Sequence, residues 1–86
     1  MVGGDSSFGF SGMELETAAR YHFPIKCIVI NNNGIGEGVE EIAKEDDAHS
    51  IPISALSPWS KYELIAEAFG GKGRCVSDHK GLASVL

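Results

Sequence analysis

Apolar residues along the chain fall at helical spacing in two stretches and as a nearly continuous run in a third, broken by glycine- and asparagine-rich stretches. Ser11-Gly12-Met13-Glu14 has the spacing of a capping box, with Phe10 and Leu15 placed as a hydrophobic staple. Leu15, Ala18, Ala19 and His22 then share one helical face, Glu16 can pair with Arg20 one turn on, and Pro24 stops the run. The pattern returns at Ser60-Lys61-Tyr62-Glu63, with Trp59 and Leu64 as the staple. There Tyr62, Ile65, Ala66 and Phe69 form the buried face, and Gly70-Gly71 ends the helix. Residues 25–30 read Ile-Lys-Cys-Ile-Val-Ile, a nearly continuous apolar run that suits a parallel strand covered on both faces.

A first strand would run from Met1-Val2 into Gly3-Gly4, a weaker strand is expected at residues 74–77, and a last helix opens near Asp78. Gly81 inside that helix is unfavourable. This order of elements predicts an α/β fold: a partial open parallel sheet with flanking helices. Only Met1 and Val2 precede the glycine pair, and no strand follows the last helix. The 86 residues are therefore expected to be one partial domain, truncated at both ends, with unpartnered sheet edges.

Charge narrows the partners. The net charge is −5, and residues 37–47 alone carry six acids and one lysine, so the remainder is neutral. No cluster of Lys and Arg marks a nucleic-acid footprint, and no apolar run reaches the ~20 residues of a membrane span. A secretory leader is not expected, and Ser84-Val85-Leu86 is not the peroxisomal tripeptide. Cys27 and Cys75 sit in apolar runs and read as buried thiols of a reducing, intracellular compartment.

Chemistry is concentrated in two loops, Gly4-Asp5-Ser6-Ser7 after the first strand and Asn31-Asn32-Asn33-Gly34 after the second. In a parallel unit both lie at the carboxyl ends of strands, where open α/β sheets bind ligands. Twenty-six residues lie between Asp5 and Asn32, enough for a crossover helix and a return strand. A carboxylate, an amide oxygen and a backbone carbonyl are hard donors suited to Mg²⁺, which completes its shell with water and phosphate oxygens. Gly4 and Gly9 let backbone N–H groups approach phosphates, Ser6 and Ser7 add hydroxyl donors, and helix N-termini favour anions.

Gly4-Asp5-Ser6, twenty-four residues, then Asn31-Asn32 resembles the Gly-Asp-Gly…Asn-Asn signature of thiamine diphosphate enzymes. The nearer resemblance is to the 2-hydroxyacyl-CoA lyase and oxalyl-CoA decarboxylase family. It is carried by Phe8-Gly9-Phe10-Ser11-Gly12-Met13-Glu14, Glu16-Thr17, Arg20-Tyr21, Pro24 and Ala68-Phe69-Gly70-Gly71-Lys72-Gly73. The resemblance implies part of a thiamine diphosphate-binding fold with thiamine diphosphate and Mg²⁺ as cofactors. It implies Asp5, Asn32 and Gly34 as metal ligands, the last through its carbonyl. Gly4, Ser6, Ser7 and Ile35 join Asp5, Asn32 and Gly34 at the cofactor. The implied reaction cleaves a 2-hydroxyacyl-CoA beside its carbonyl, as in fatty acid α-oxidation, or decarboxylates oxalyl-CoA. The implied parent is a homo-oligomer acting on an acyl-CoA in the peroxisome or cytoplasm. The activating glutamate would come from another domain, so no catalytic residue is expected here. Gly36 departs from the tyrosine usual in the family, and residues 37–57 match it poorly.

Other motifs fail on inspection. Gly34-Ile35-Gly36-Glu37-Gly38 lacks the last glycine of a dinucleotide fingerprint, because position 39 is valine. Gly71-Lys72 is followed by glycine where a Walker loop needs Ser or Thr. Ser11 is a helix cap rather than a nucleophile, and Asn33-Gly34 is not a hairpin turn, since the residues after it do not alternate. Two function classes stay open: the cofactor-binding segment of a lyase, or a degenerate remnant that acts at most as a binding or interaction protein. Flanking genomic sequence would separate them.

Overall fold

In the computed structural model, which describes residues 1–38 and 51–86, the two apolar stretches nearest the N-terminus meet as a parallel pair. β1 (Val2–Gly4) and β2 (Ile28–Ile30) run in register Val2 with Ile28, Gly3 with Val29 and Gly4 with Ile30. Parallel strands cannot be joined by a tight turn, and the crossover here is helical. It comprises α1 (Asp5–Ser11), a 3-10 turn (Gly12–Glu14) and α2 (Leu15–Arg20). Further on come α3 (Glu63–Ala68) and α4 (His79–Val85). The α/β class read from the element order holds. Met1–Gly12 with Pro24–Ser60 make one compact unit, and Met13–Phe23 with Lys61–Leu86 make another.

The first unit contains the sheet and α1. Phe8 on α1 is the buried hydrophobic side chain among the described residues, at 4% exposure. Gly12 makes room for it: a Cβ there would stand 2.6 Å from Phe8 Cε1 and 2.7 Å from Cζ. The strand expected over residues 25–30 is shorter, because a ladder residue needs a partner and β1 offers three. It is not covered on both faces either, since Ile25, Ile30 and Val2 are exposed.

Neither capping box forms. An N-cap residue needs extended backbone, but the chain is already helical from Asp5, and Gly12 at φ −57°, ψ −28° continues it. Glu14 does not reach back to Ser11; its Oε2 accepts from Thr17 Oγ1 at 3.2 Å. Phe10, at 93% exposure, staples nothing. At the second site Ser57 organises the turn instead, with its Oγ accepting from Trp59 N–H at 3.3 Å and its carbonyl from Ser60 N–H at 3.3 Å. Trp59 is exposed, and α3 starts three residues after Ser60 with no side-chain cap.

In the second unit α2 packs against α3. Leu15, Ala18 and Ala19 are half-buried as expected, whereas His22 is exposed. The predicted α3 face holds: Tyr62, Ile65, Ala66 and Phe69 are half-buried, while Leu64, Glu67 and Ala68 are exposed. The Glu16–Arg20 pair is bidentate at 3.0 and 3.2 Å. Hydrogen bonding to Glu16, then its charge, raises the Arg20 guanidinium above its ordinary pKa.

Both helices end in the same Schellman geometry. Gly70 N–H donates to Glu67 O at 3.0 Å and Gly71 N–H to Ala66 O at 2.8 Å, with Gly70 left-handed at φ 87°. In α2, His22 N–H donates to Ala19 O at 3.2 Å and Phe23 N–H to Ala18 O at 2.9 Å. Thus α2 ends at Arg20 through this motif rather than at Pro24. Here, though, the left-handed position is a histidine at φ 55°. A Cβ in that conformation costs about 1–2 kcal/mol, partly offset by the chain entropy glycine loses on folding. His22→Gly is therefore expected to raise stability by about 0.5–1 kcal/mol, read as a higher urea midpoint. A lower midpoint would show that the turn is unstrained.

Two sequence expectations fail in this unit. Residues 74–77 form no strand; a strand exists only with a partner, and none pairs with them among the described residues. Cys75 is exposed there, and Cys27 in the first unit is half-buried, so neither is the buried thiol expected. The last helix starts as read. Asp78 is its N-cap, with Oδ1 accepting from Gly81 N–H at 2.6 Å. A Cβ on Gly81 would stand 3.0 Å from that oxygen, so the residue poor for helix propensity seats the cap closely. The acidic run 39–47 and His49 lie outside the described residues.

Candidate cofactor site

Strand register determines where the two loops emerge. Gly4 pairs with Ile30, so Asp5 and residues 31–34 leave the same carboxyl edge of the parallel pair, within one unit. Gly4 closes β1 and, extended at φ −75° and ψ 165°, is the N-cap of α1. Asp5 is the next residue and is 1% exposed. Its Oδ1 accepts from Ser6 N–H at 2.9 Å. Oδ2 is buried and has no hydrogen-bond partner among the described residues. A buried carboxylate oxygen with neither donor nor countercharge among the described residues is costly, by several kcal/mol on the usual scales. A divalent cation at Oδ2 would offset that cost.

In the second loop the three asparagines have different tasks. Asn31 Oδ1 accepts from Asn33 N–H at 3.0 Å, closing a turn in which Asn33 takes the left-handed conformation at φ 62°. Asn32 Nδ2 donates to Gly36 O at 3.0 Å. A carbonyl can only accept, so the amide nitrogen must be the atom facing Gly36, and Oδ1 keeps its lone pairs for another partner. Gly34 is buried and bridges to Ala55 in antiparallel sense. The flanking bonds run from Ile35 N–H to Ser54 O at 2.8 Å and from Leu56 N–H to Asn33 O at 2.9 Å. That is the non-hydrogen-bonded type of pair, so the bridge uses neither the N–H nor the carbonyl of Gly34. A side chain at position 34 has no space, since a Cβ would lie 3.0 Å from Ser54 O and 3.1 Å from Gly38 Cα.

Of the other residues singled out in the sequence, Ser6 is half-buried, and Ser7 and the Ile35 side chain are exposed. The available donors are a carboxylate oxygen, an amide oxygen and a peptide oxygen, the hard set that Mg²⁺ prefers. No three His, Cys, Asp or Glu side chains converge on a metal position among the described residues. A metal here would rest on mixed oxygen donors. Beside α1 a hollow lined by Met1, Val2, Ser7, Phe8, Ser11 and Ile28 includes neither Asp5 nor Asn32. Sequence reading did not single out Phe8 as core, Gly38 as a neighbour of Asn32, or the return of residues 54–56 to Gly34. None carries a periodic signal.

A buried carboxylate and an oriented amide stand at the carboxyl edge of a parallel pair, where α/β domains bind ligands. The chain matches, over residues 1–86, the family model of the thiamine pyrophosphate enzyme C-terminal TPP binding domain, and it belongs to that family. Among its relatives, it is 47% identical to 2-hydroxyacyl-CoA lyase 1 of Homo sapiens, an alignment covering 99% of this chain and 16% of that protein. It is 44% identical to 2-hydroxyacyl-CoA lyase 1 of Dictyostelium discoideum, over 98% of this chain and 16% of the relative. Oxalyl-CoA decarboxylase of Escherichia coli (strain K12) is 39% identical, over 99% of this chain and 15% of the relative. The chain thus spans under a fifth of the length of these relatives.

Proposed function

We propose that this chain holds the Mg²⁺–diphosphate end of thiamine diphosphate in a carbon–carbon lyase that cleaves a 2-hydroxyacyl-CoA or decarboxylates oxalyl-CoA. The buried Oδ2 of Asp5, without a hydrogen-bond partner among the described residues, carries the reading. Asp5, the Asn32 Oδ1 and the Gly34 carbonyl would hold the metal, with diphosphate oxygens and water completing its shell. Gly4, Ser6 and Ser7 would border the diphosphate, with Ile35 next to the metal-binding carbonyl. When bound, the thiazolium ring supplies the electron sink for bond cleavage. The residues of this chain bind and orient; they hold cofactor equally in ground and transition states, which does not itself lower the barrier. Activation of the ring and recognition of the acyl-CoA fall to residues outside these 86, in a homo-oligomeric parent.

Calorimetric titration with thiamine diphosphate tests the metal-mediated reading. Binding is expected in Mg²⁺ and is expected to be lost in excess EDTA; equal binding in EDTA would refute it. The same 86 residues, loaded with cofactor and Mg²⁺, are expected to turn over neither 2-hydroxyacyl-CoA nor oxalyl-CoA. Turnover above the protein-free cofactor background would mean that an activating carboxylate lies within this chain.

A further inference from the structure

Gly38 stands against Asn32 in a way that no other glycine of the loop does. It is left-handed at φ 82°, and a Cβ built on it would overlap Asn32 O and lie 2.7 Å from Asn32 Cγ and 2.8 Å from Asn32 Cβ. The contact is therefore with the backbone and the base of the side chain, neither of which can swing away cheaply. The far end of the same side chain is held by the Gly36 carbonyl, which accepts from Asn32 Nδ2 at 3.0 Å. Packing at one end and a hydrogen bond at the other leave the amide one orientation, with Oδ1 opposite Gly36. Asn32 itself is exposed, so the bulk of the fold does not fix its rotamer.

We infer that Gly38 is a positioning residue for Asn32: its lack of a side chain lets Asn32 lie where the Gly36 carbonyl aligns the amide and presents Oδ1 to the metal. The inference rests on the reading of Asn32 as a Mg²⁺ ligand. Groups that orient a metal ligand without touching the metal typically change affinity by about 10–100-fold when lost. Filling position 38 should act at that scale.

Gly70, in the second unit, is a matched internal control. It too is left-handed, at φ 87°, but a Cβ there meets nothing within 4 Å. Gly70→Ala bears the backbone cost of a left-handed alanine alone; Gly38→Ala adds the collision with Asn32. The experiment titrates the full chain and its Gly70→Ala, Gly38→Ala and Asn32→Ala variants with thiamine diphosphate, in Mg²⁺ and in EDTA. Side-chain amide resonances of Asn32 are followed in parallel by ¹⁵N NMR without metal.

Gly38→Ala is expected to weaken Mg²⁺-dependent binding by about tenfold or more and to shift the Asn32 amide resonances, with Gly70→Ala far closer to the parent in both. If Asn32→Ala binds like the parent, the ligand reading itself is wrong. If Asn32→Ala is impaired while Gly38→Ala matches Gly70→Ala, the ligand reading stands and the positioning role is overturned. Should Gly38→Ala fail to fold, the parent decides. Its Asn32 amide protons are expected to exchange more slowly than those of an unbonded exposed amide, and exchange at the unbonded rate would overturn the inference.

Discussion

Asp5→Ala is expected to abolish Mg²⁺-dependent retention of thiamine diphosphate, a loss of more than about a hundredfold, beyond what an outer-shell change costs. It removes the carboxylate of the proposed donor set, and with it the countercharge that draws a dication into a buried position. Asn32→Ala removes a neutral ligand and should cost less. Stability should move the other way. The Asp5 carboxylate is 1% exposed, with Oδ1 bonded to Ser6 N–H and Oδ2 without a hydrogen-bond partner among the described residues. Removing it loses the Oδ1 bond from Ser6 N–H, about 1 kcal/mol, but relieves the larger cost of burying an unpartnered charged oxygen. A metal-free melt at or above the parent's, combined with lost binding, is the expected signature. Wild-type affinity in Asp5→Ala would mean the metal is held elsewhere. A collapsed metal-free fold would show the carboxylate to be structural.

Gly73→Ala is expected to destabilise the second unit by about 3 kcal/mol, the upper end of ordinary overpacking. Gly73 is buried against the start of α3. A Cβ there would overlap Glu63 O and lie 2.7 Å from Glu63 C and 2.9 Å from its Cβ. All three atoms belong to the backbone or its immediate branch, so relief requires moving the first turn of α3. Gly71→Ala is the comparison, since its nearest atom would be Ala66 O at 3.1 Å. Urea midpoints decide the matter. A Gly73→Ala midpoint equal to that of Gly71→Ala would show that the approach is looser than these distances state.

The placement of the candidate site was legible because its residues carry both a chemical type and a place on an edge. Asp5 and Asn32 follow strands, and a parallel pair sends both to one side. The α/β class, the face of α3 and the start of α4 at Asp78 followed from periodicity and a cap. The helix starts at Ser11 and Ser60 were misread because the motif has no unique owner. Ser-x-x-Glu also fits a chain already helical, where Glu14 bonds Thr17, and a turn already organised by Ser57. Residues 74–77 have strand composition, but pairing is decided by partners far along the chain. Gly38 and Gly73 were invisible for a related reason: a glycine's value lies in what stands opposite it, and the sequence does not name that neighbour.

The three-residue ladder also decides which stretches of chain can change length without harm. Asp5 and Asn32 share an edge because Gly4 pairs with Ile30, not because a fixed number of residues lies between them. Extra residues in the non-regular stretch between α2 and β2 would only lengthen a connection, at about 0.6 kcal/mol per doubling. One residue inserted within Ile28–Ile30 would instead advance Asn32 by about 3.3 Å and turn every later strand side chain to the opposite face. Spacer length is therefore tolerant in that connection and intolerant within the strand, so the strand edge, and not a strict residue count, is what fixes the two loops relative to one another.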